Sequence, residues 1–70
     1  MRTVEITKQP VELFKILKFE GLVTTGGEAK QVIADGQVSV NGEIETRKRR
    51  KIVDGDVVAF ANESLQIRLA

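Results

Sequence analysis

Residues 21–42 read GLVTTGGEAKQVIADGQVSVNG, and their reading decides the fold. Thr25 is suited to cap a helix, and Glu28 three residues later completes a capping box. In such a box each side chain meets a backbone N–H that the new helix leaves unpaired. Ala29, Val32 and Ile33 then recur at the spacing that buries one helical face. Gly36 stops the helix, because glycine takes the left-handed conformation of a C-terminal cap at no steric cost. Val38 and Val40 alternate with Ser39 as a strand. Asn41-Gly42 is the strongest short signal for a two-residue hairpin turn. The segment predicts the end of one helix, a glycine-rich turn, a second short helix and the first strand of a hairpin.

N-terminal to this segment, residues 2–6 (RTVEI) alternate polar and apolar as a short strand, broken by Gln9-Pro10. Pro10 suits the first turn of a helix, where its missing N–H costs nothing. That helix is predicted from Val11 to about Phe19. Leu13, Ile16 and Leu17 lie on its buried face, with Glu20 in line. Val11, Phe14 and Lys18 lie further round, and Lys15 and Lys18 share a more exposed side. Phe14 and Phe19 read as core. Gly21 is the expected C-cap, and Leu22 and Val23 return to the core.

C-terminal to the hairpin, which extends to Glu45, Ile52 and Val53 restore apolar contact and Asp54-Gly55-Asp56 forms a turn. Val57–Phe60 is a nearly continuous apolar strand. Asn62-Glu63 is a second turn, and Leu65, Ile67 and Leu69 alternate in a last strand, whose edge is left open for pairing. The fold class is α+β, with two short helices packed against a small, mostly antiparallel sheet. The 70 residues form a single domain.

Composition removes several function classes. A chain of this length buries only about 60% of its unfolded surface, so a large internal substrate cavity is not expected. The chain has no Cys and no His. Disulfides, thiolate metal sites and the usual general base are therefore absent. Asp54 and Asp56 flank a glycine as ordinary turn residues do, and a magnesium site needs more carboxylates or a bound phosphate. Ser39, Ser64 and the threonines have no base arranged to activate them. Neither enzymatic activity, nor a cofactor, nor a metal is expected. No apolar run reaches the roughly 18 residues of a membrane span, and the N-terminus carries no signal-peptide pattern. A cytoplasmic protein is expected.

The formal net charge of +1 hides an asymmetry. Arg47, Lys48, Arg49, Arg50 and Lys51 are consecutive, and the other 65 residues carry six basic against ten acidic groups, a net of −4. One reading is a phosphate-binding loop, since a guanidinium offers a planar donor fork that suits phosphate. The other is a solvated loop partly neutralised by Glu43, Glu45, Asp54 and Asp56. Thr24-Thr25-Gly26-Gly27 has the same duality. A helix N-terminus with two glycines lets an anion approach backbone N–H groups, or the glycines let two helices cross closely. Lys30, one turn on, either adds a cation to that face or is simply solvated.

The order Leu13-x-x-x-Leu17, Gly21-Leu22-Val23, Glu28-Ala29-Lys30, Ile33, Gly36, Val38-x-Val40-Asn41-Gly42 and Val53-x-Gly55-Asp56 resembles the S-four RNA-binding domain. This family takes its name from a protein of the small ribosomal subunit and is built on the αL motif. The resemblance covers about residues 11–60. The Thr-Gly-Gly-Glu-Ala turn and Glu45-Thr46-Arg47-Lys48-Arg49 are similar to the small stand-alone bacterial branch, the YbcJ-like proteins. It implies non-catalytic binding of a structured RNA, ribosomal or transfer, across the helices and the hairpin loop. By position, the implied contacts are Lys15 near the start of the first helix, Thr25, Gly26 and Gly27 at the turn, Lys30, and Asn41 with Arg47, Lys48, Arg49, Arg50 and Lys51. Many members carry Arg-Leu-Asp where this chain has Glu12-Leu13-Phe14, and Ser-Arg-Ser where it has Thr25-Gly26-Gly27. A family Arg is thus missing twice, which leaves the basic run to supply that charge. The expected partner is RNA rather than DNA or a membrane, with the chain a monomer. The alternative is a protein-interaction module that docks its basic loop on an acidic partner.

Overall fold

Along the chain run strand β1 (Arg2–Ile6), β2 (Val11–Glu12), helix α1 (Leu13–Phe19), α2 (Gly26–Ala34), β3 (Val38–Val40), β4 (Glu43–Ile44), β5 (Lys51–Ile52), β6 (Val57–Phe60) and β7 (Glu63–Leu69). The computed structural model describes residues 1–70. The main sheet has the order β1-β7-β6-β3-β4, and β2 pairs with β5 in a separate two-stranded ribbon. All pairings are antiparallel except β1 with β7, where Val4 stands opposite Ile67. The two helices and the mostly antiparallel sheet expected from the sequence are present.

The alternation of apolar residues sets the core. Val4, Ile6, Val38, Val40, Val58, Leu65 and Ile67 from the sheet join Leu13, Ile16, Leu17, Ala29 and Ile33 from the helices, with Val23 and Ile52. Leu65 is fully buried on β7, an interior strand of the sheet. Its truncation to Ala is expected to cost about 3 kcal/mol, as deletion of a buried leucine usually does.

Local signals account for the ends of most elements. Asn41 (φ 53°) and Gly42 (φ 85°) both adopt positive φ, as a two-residue hairpin turn requires. Both helices end in a Schellman motif, with Gly21 (φ 74°) and Gly36 (φ 77°) just past the caps Glu20 and Asp35. Leu22 N–H reaches the Leu17 carbonyl at 3.0 Å, and Gln37 N–H reaches that of Val32 at 3.1 Å. At the start of α2, the Thr25 hydroxyl accepts from Glu28 N–H at 3.0 Å, but the reciprocal half of the capping box is shifted. Glu28 Oε1 accepts from the N–H (2.8 Å) and hydroxyl (2.9 Å) of Thr24 rather than from Thr25.

Four expectations are corrected. Pro10 lies outside α1, and Val11–Glu12 are extended because they pair with Ile52 and Lys51, a partner some 40 residues away in sequence. The two-residue turn between β6 and β7 is Ala61-Asn62, with Glu63 already paired opposite Phe60. The last strand is no edge: β7 lies between β1 and β6, and β1 and β4 form the edges. Phe19 is not core, being 69% exposed at the end of α1.

Candidate nucleic-acid interface

Five successive cations repel one another, so the segment from Arg47 to Lys51 holds a defined path only if it is tied down. Glu45 ties it. This residue is the one buried charged side chain, only 6% exposed, and its N–H is anchored on the Val38 carbonyl at 2.9 Å. Its Oε2 accepts from Arg47 N–H at 2.9 Å and Arg47 Nε at 3.0 Å. Its Oε1 accepts from Arg47 Nη2 at 3.0 Å and Arg50 Nη1 at 2.9 Å. These bonds, led by the side chain of Arg47 and then that of Arg50, hold the Glu45 carboxyl well below the usual carboxylate range. The same pairing pushes the Arg47 guanidinium up.

The loop is also docked on α1. Glu12, the residue preceding α1, offers no side-chain cap. In its place, Leu13 N–H donates to the Arg50 carbonyl (2.9 Å) and Phe14 N–H to that of Lys48 (3.1 Å). Two of the four N–H groups that a helix start leaves unpaired are thereby met by the basic loop's own backbone. The β2–β5 ribbon extends this attachment to Lys51. The result is an open depression lined by Ala34 and residues 46–51.

Within it the cations are not equivalent. Arg47 and Arg50 are bound to Glu45, while Arg49 Nη1 lies 3.3 Å from Glu12 Oε2. Lys48 and Lys51 are exposed and have no carboxylate partner. Of the four neutralising acids expected from the sequence, Glu45 alone serves. Asp54 Oδ1 accepts from Leu69 N–H, and Asp56 from Val53 N–H and the Asn41 amide, as turn residues do.

Lys15 and Lys30 join the loop around one ring. Lys30 Nζ lies 4.9 Å from the Phe14 ring centre, and Lys15 Nζ and Arg49 Cζ each lie 5.9 Å away. Lys15 Nζ also meets Glu12 Oε1 at 3.3 Å. Partial desolvation pushes the Glu12 carboxyl up, but the hydrogen bond and charge of Lys15, with the charge of Arg49, outweigh it and leave the pKa lowered. Phe14 is half-buried and packs against the core, with the three cations around its ring.

Thr25, Gly26 and Gly27 open α2 one turn before Lys30. A Cβ on Gly26 would meet nothing within 4 Å, and one on Gly27 only the Thr25 hydroxyl at 3.8 Å. No close helix crossing therefore demands these glycines. Their N–H groups are at the exposed, positive end of the helix, beside the Glu28 carboxylate, which Thr24 N–H and then the Thr24 hydroxyl hold below its usual pKa. Asn41 is set apart from this group. Its side chain donates to Asp56 Oδ1 (3.1 Å) and accepts from Val57 N–H (2.9 Å), fastening the hairpin tip to β6. Sequence reading missed Glu12 and Phe14 as neighbours of the cations, because their proximity arises from the docking of residues 47–51 on α1. The Glu45-x-Arg47 spacing was the one local clue to the buried clamp.

Two helices, a β-hairpin and a basic loop held against them define an αL-type domain. The chain belongs to the S4 domain family, whose profile matches residues 4–68. YbcJ of Escherichia coli strain K12 is 52% identical over 68 residues, which cover 96% of this chain and 97% of YbcJ. The solution structure of E. coli YbcJ, described as revealing an αL motif involved in RNA binding, superposes with a TM-score of 0.74 at 49% identity, covering 97% of this chain and 87% of that one. A probable ribosome maturation protein of Bacillus subtilis, RlbA, is 34% identical over 55 residues, 79% of this chain and 78% of RlbA. A pseudouridylate synthase crystal structure matches with a TM-score of 0.71 at 27% identity; 80% of this chain covers 24% of that one, so the likeness is confined to one domain of the enzyme. No helix here is long and apolar enough to cross a membrane.

Proposed function

We propose that this domain binds structured RNA without catalysing a reaction on it, meeting phosphates with the basic loop and with the start of α2. The observation that carries this reading is the double tether of residues 47–51. Glu45 holds the two arginines at the base, and α1 holds the backbone at Lys48 and Arg50. A solvated decorative loop has no need of either restraint. With the loop pre-ordered, Lys48, Arg49 and Lys51 meet a phosphate backbone without first losing the loop's conformational freedom. Arg47, 74% exposed at its side chain, retains donors turned away from Glu45.

Shape and phosphate spacing are what such a surface can read. The major groove of A-form RNA hides its base edges from side chains, so recognition falls on backbone and 2′-hydroxyls. Gly26 and Gly27 add backbone donors that no side chain obstructs, flanked by Lys30 and Lys15. Asn41 is left out of the proposed grip, since both ends of its amide are spent within the fold. The likeness to RlbA, a probable ribosome maturation protein, supports ribosomal RNA as a target class, with transfer RNA as the other candidate.

The test is competition between matched RNA and DNA hairpins for the protein, followed by fluorescence anisotropy. RNA is expected to displace DNA at lower concentration. Equal displacement, or binding to neither together with salt-insensitive capture of an acidic protein, contradicts the reading and favours a protein-docking module.

A further inference from the structure

We propose that Phe14 is a positioning residue that gathers Lys15, Lys30 and Arg49 into one phosphate-binding position; this deepens, and rests on, the RNA-binding reading. The three cations come from three separate segments: α1, α2 and the basic loop. Brought together unaided they repel, at separations where physiological salt screens only partly. The face of an aromatic ring carries negative potential that offsets such repulsion. Phe14 supplies it, with all three cationic groups within 5.9 Å of its centre.

The charges around the ring are incompletely matched. Glu12 is shared between Lys15 and Arg49, at 3.3 Å from each. Lys30 is half-buried, lies nearest the ring and pairs with no carboxylate. With Glu12 counted, the cluster keeps a net charge of +2. A phosphodiester that bridges Lys30 and Arg49, in a backbone that also crosses Lys48, brings one negative charge to this position and lowers the excess to +1.

Two substitutions separate this role from simple packing. Phe14→Leu keeps an apolar group against the core but removes the π face, while Phe14→Tyr keeps both. Affinity for an RNA hairpin that the wild type binds is expected to fall about fivefold in Phe14→Leu and to be retained in Phe14→Tyr, with thermal midpoints of both variants close to the wild type. In the free protein, the Lys30 side-chain methylene protons next to Nζ should show upfield ring-current shifts that vanish in Phe14→Leu alone. Equal RNA affinity of wild type and Phe14→Leu overturns the proposal while leaving RNA binding intact. Lys30 resonances unchanged by Phe14→Leu overturn it independently of any RNA. A wild type that binds no RNA at all removes the reading on which it rests.

Discussion

The amide N–H of Phe14 donates to the carbonyl oxygen of Lys48 at 3.1 Å, across 34 positions of sequence. With the neighbouring bond from Leu13 to Arg50, it makes the basic loop the N-terminal cap of α1. The consequence is mechanical: the segment that carries the charge also completes the start of the helix. Glu45 closes the loop from its other side.

Replacing Glu45 with Gln should therefore loosen the loop and lower stability at neutral pH by about 2 kcal/mol, the scale of a lost charged hydrogen-bond set at a buried site. The sign of the pH dependence follows from its depressed pKa. A carboxylate whose folded pKa lies below the unfolded value of 4.5 stabilises the fold above that value and loses this contribution as pH falls toward the folded pKa. Urea unfolding at a series of pH values should show the wild-type advantage over Glu45→Gln narrowing below about pH 4.5, by about 1.4 kcal/mol per unit. An advantage that stays constant to pH 3 contradicts the clamp.

Gly26 and Gly27 give the second test. Space for a Cβ exists at both positions. Gly26→Ala with Gly27→Ala should leave the thermal midpoint unchanged or raise it, because alanine favours helix by up to about 1 kcal/mol over glycine. RNA affinity should fall, since the methyl groups hold a phosphate away from the backbone. A lower midpoint with unchanged affinity would show that the glycines serve the fold instead.

Glu28 places a carboxylate where the phosphate is expected. Glu28→Gln keeps an acceptor for Thr24 but removes the charge. Affinity for RNA should rise about threefold at low salt and less at high salt, as for a charge at the rim of an interface. Unchanged affinity places the RNA away from the start of α2.

Ala61 adopts φ 55° in the turn between β6 and β7, a region that a side chain makes costly by about 1–2 kcal/mol. Glycine there removes the strain but adds freedom to the unfolded chain, worth about 0.4–1 kcal/mol in the opposite direction. Ala61→Gly should raise the urea midpoint slightly, with no effect on RNA binding. A lower midpoint shows that chain entropy outweighs the strain.

Local chemistry makes much of this fold legible in the sequence. Thr25, Gly36 and Asn41-Gly42 act within a few residues of themselves, and each occupies the place its chemistry predicts. Two departures come from distant pairing. Val11 and Glu12 are extended because Ile52 and Lys51 hold them, and β7 is an interior strand because the two ends of the chain pair in parallel. Phe19 has a core residue's composition but falls on the flank of α1 that nothing covers. For the site, the charge run was visible, whereas its division was not. Which arginines are clamped and which cations are free depends on where Glu12 and Glu45 stand in space.

That division sets the most direct test of the phosphate grip. Binding of an RNA hairpin should be measured by anisotropy at several salt concentrations, for the wild type and for a variant with Gln at positions 48, 49 and 51. Lys48, Arg49, Lys51 and Lys30 together predict a slope of log affinity against log salt of about −3, from counterion release. In the variant, with Arg47 and Arg50 still held by Glu45, the slope should shrink to about −1. The same slope in both proteins contradicts the claim that this loop grips phosphate.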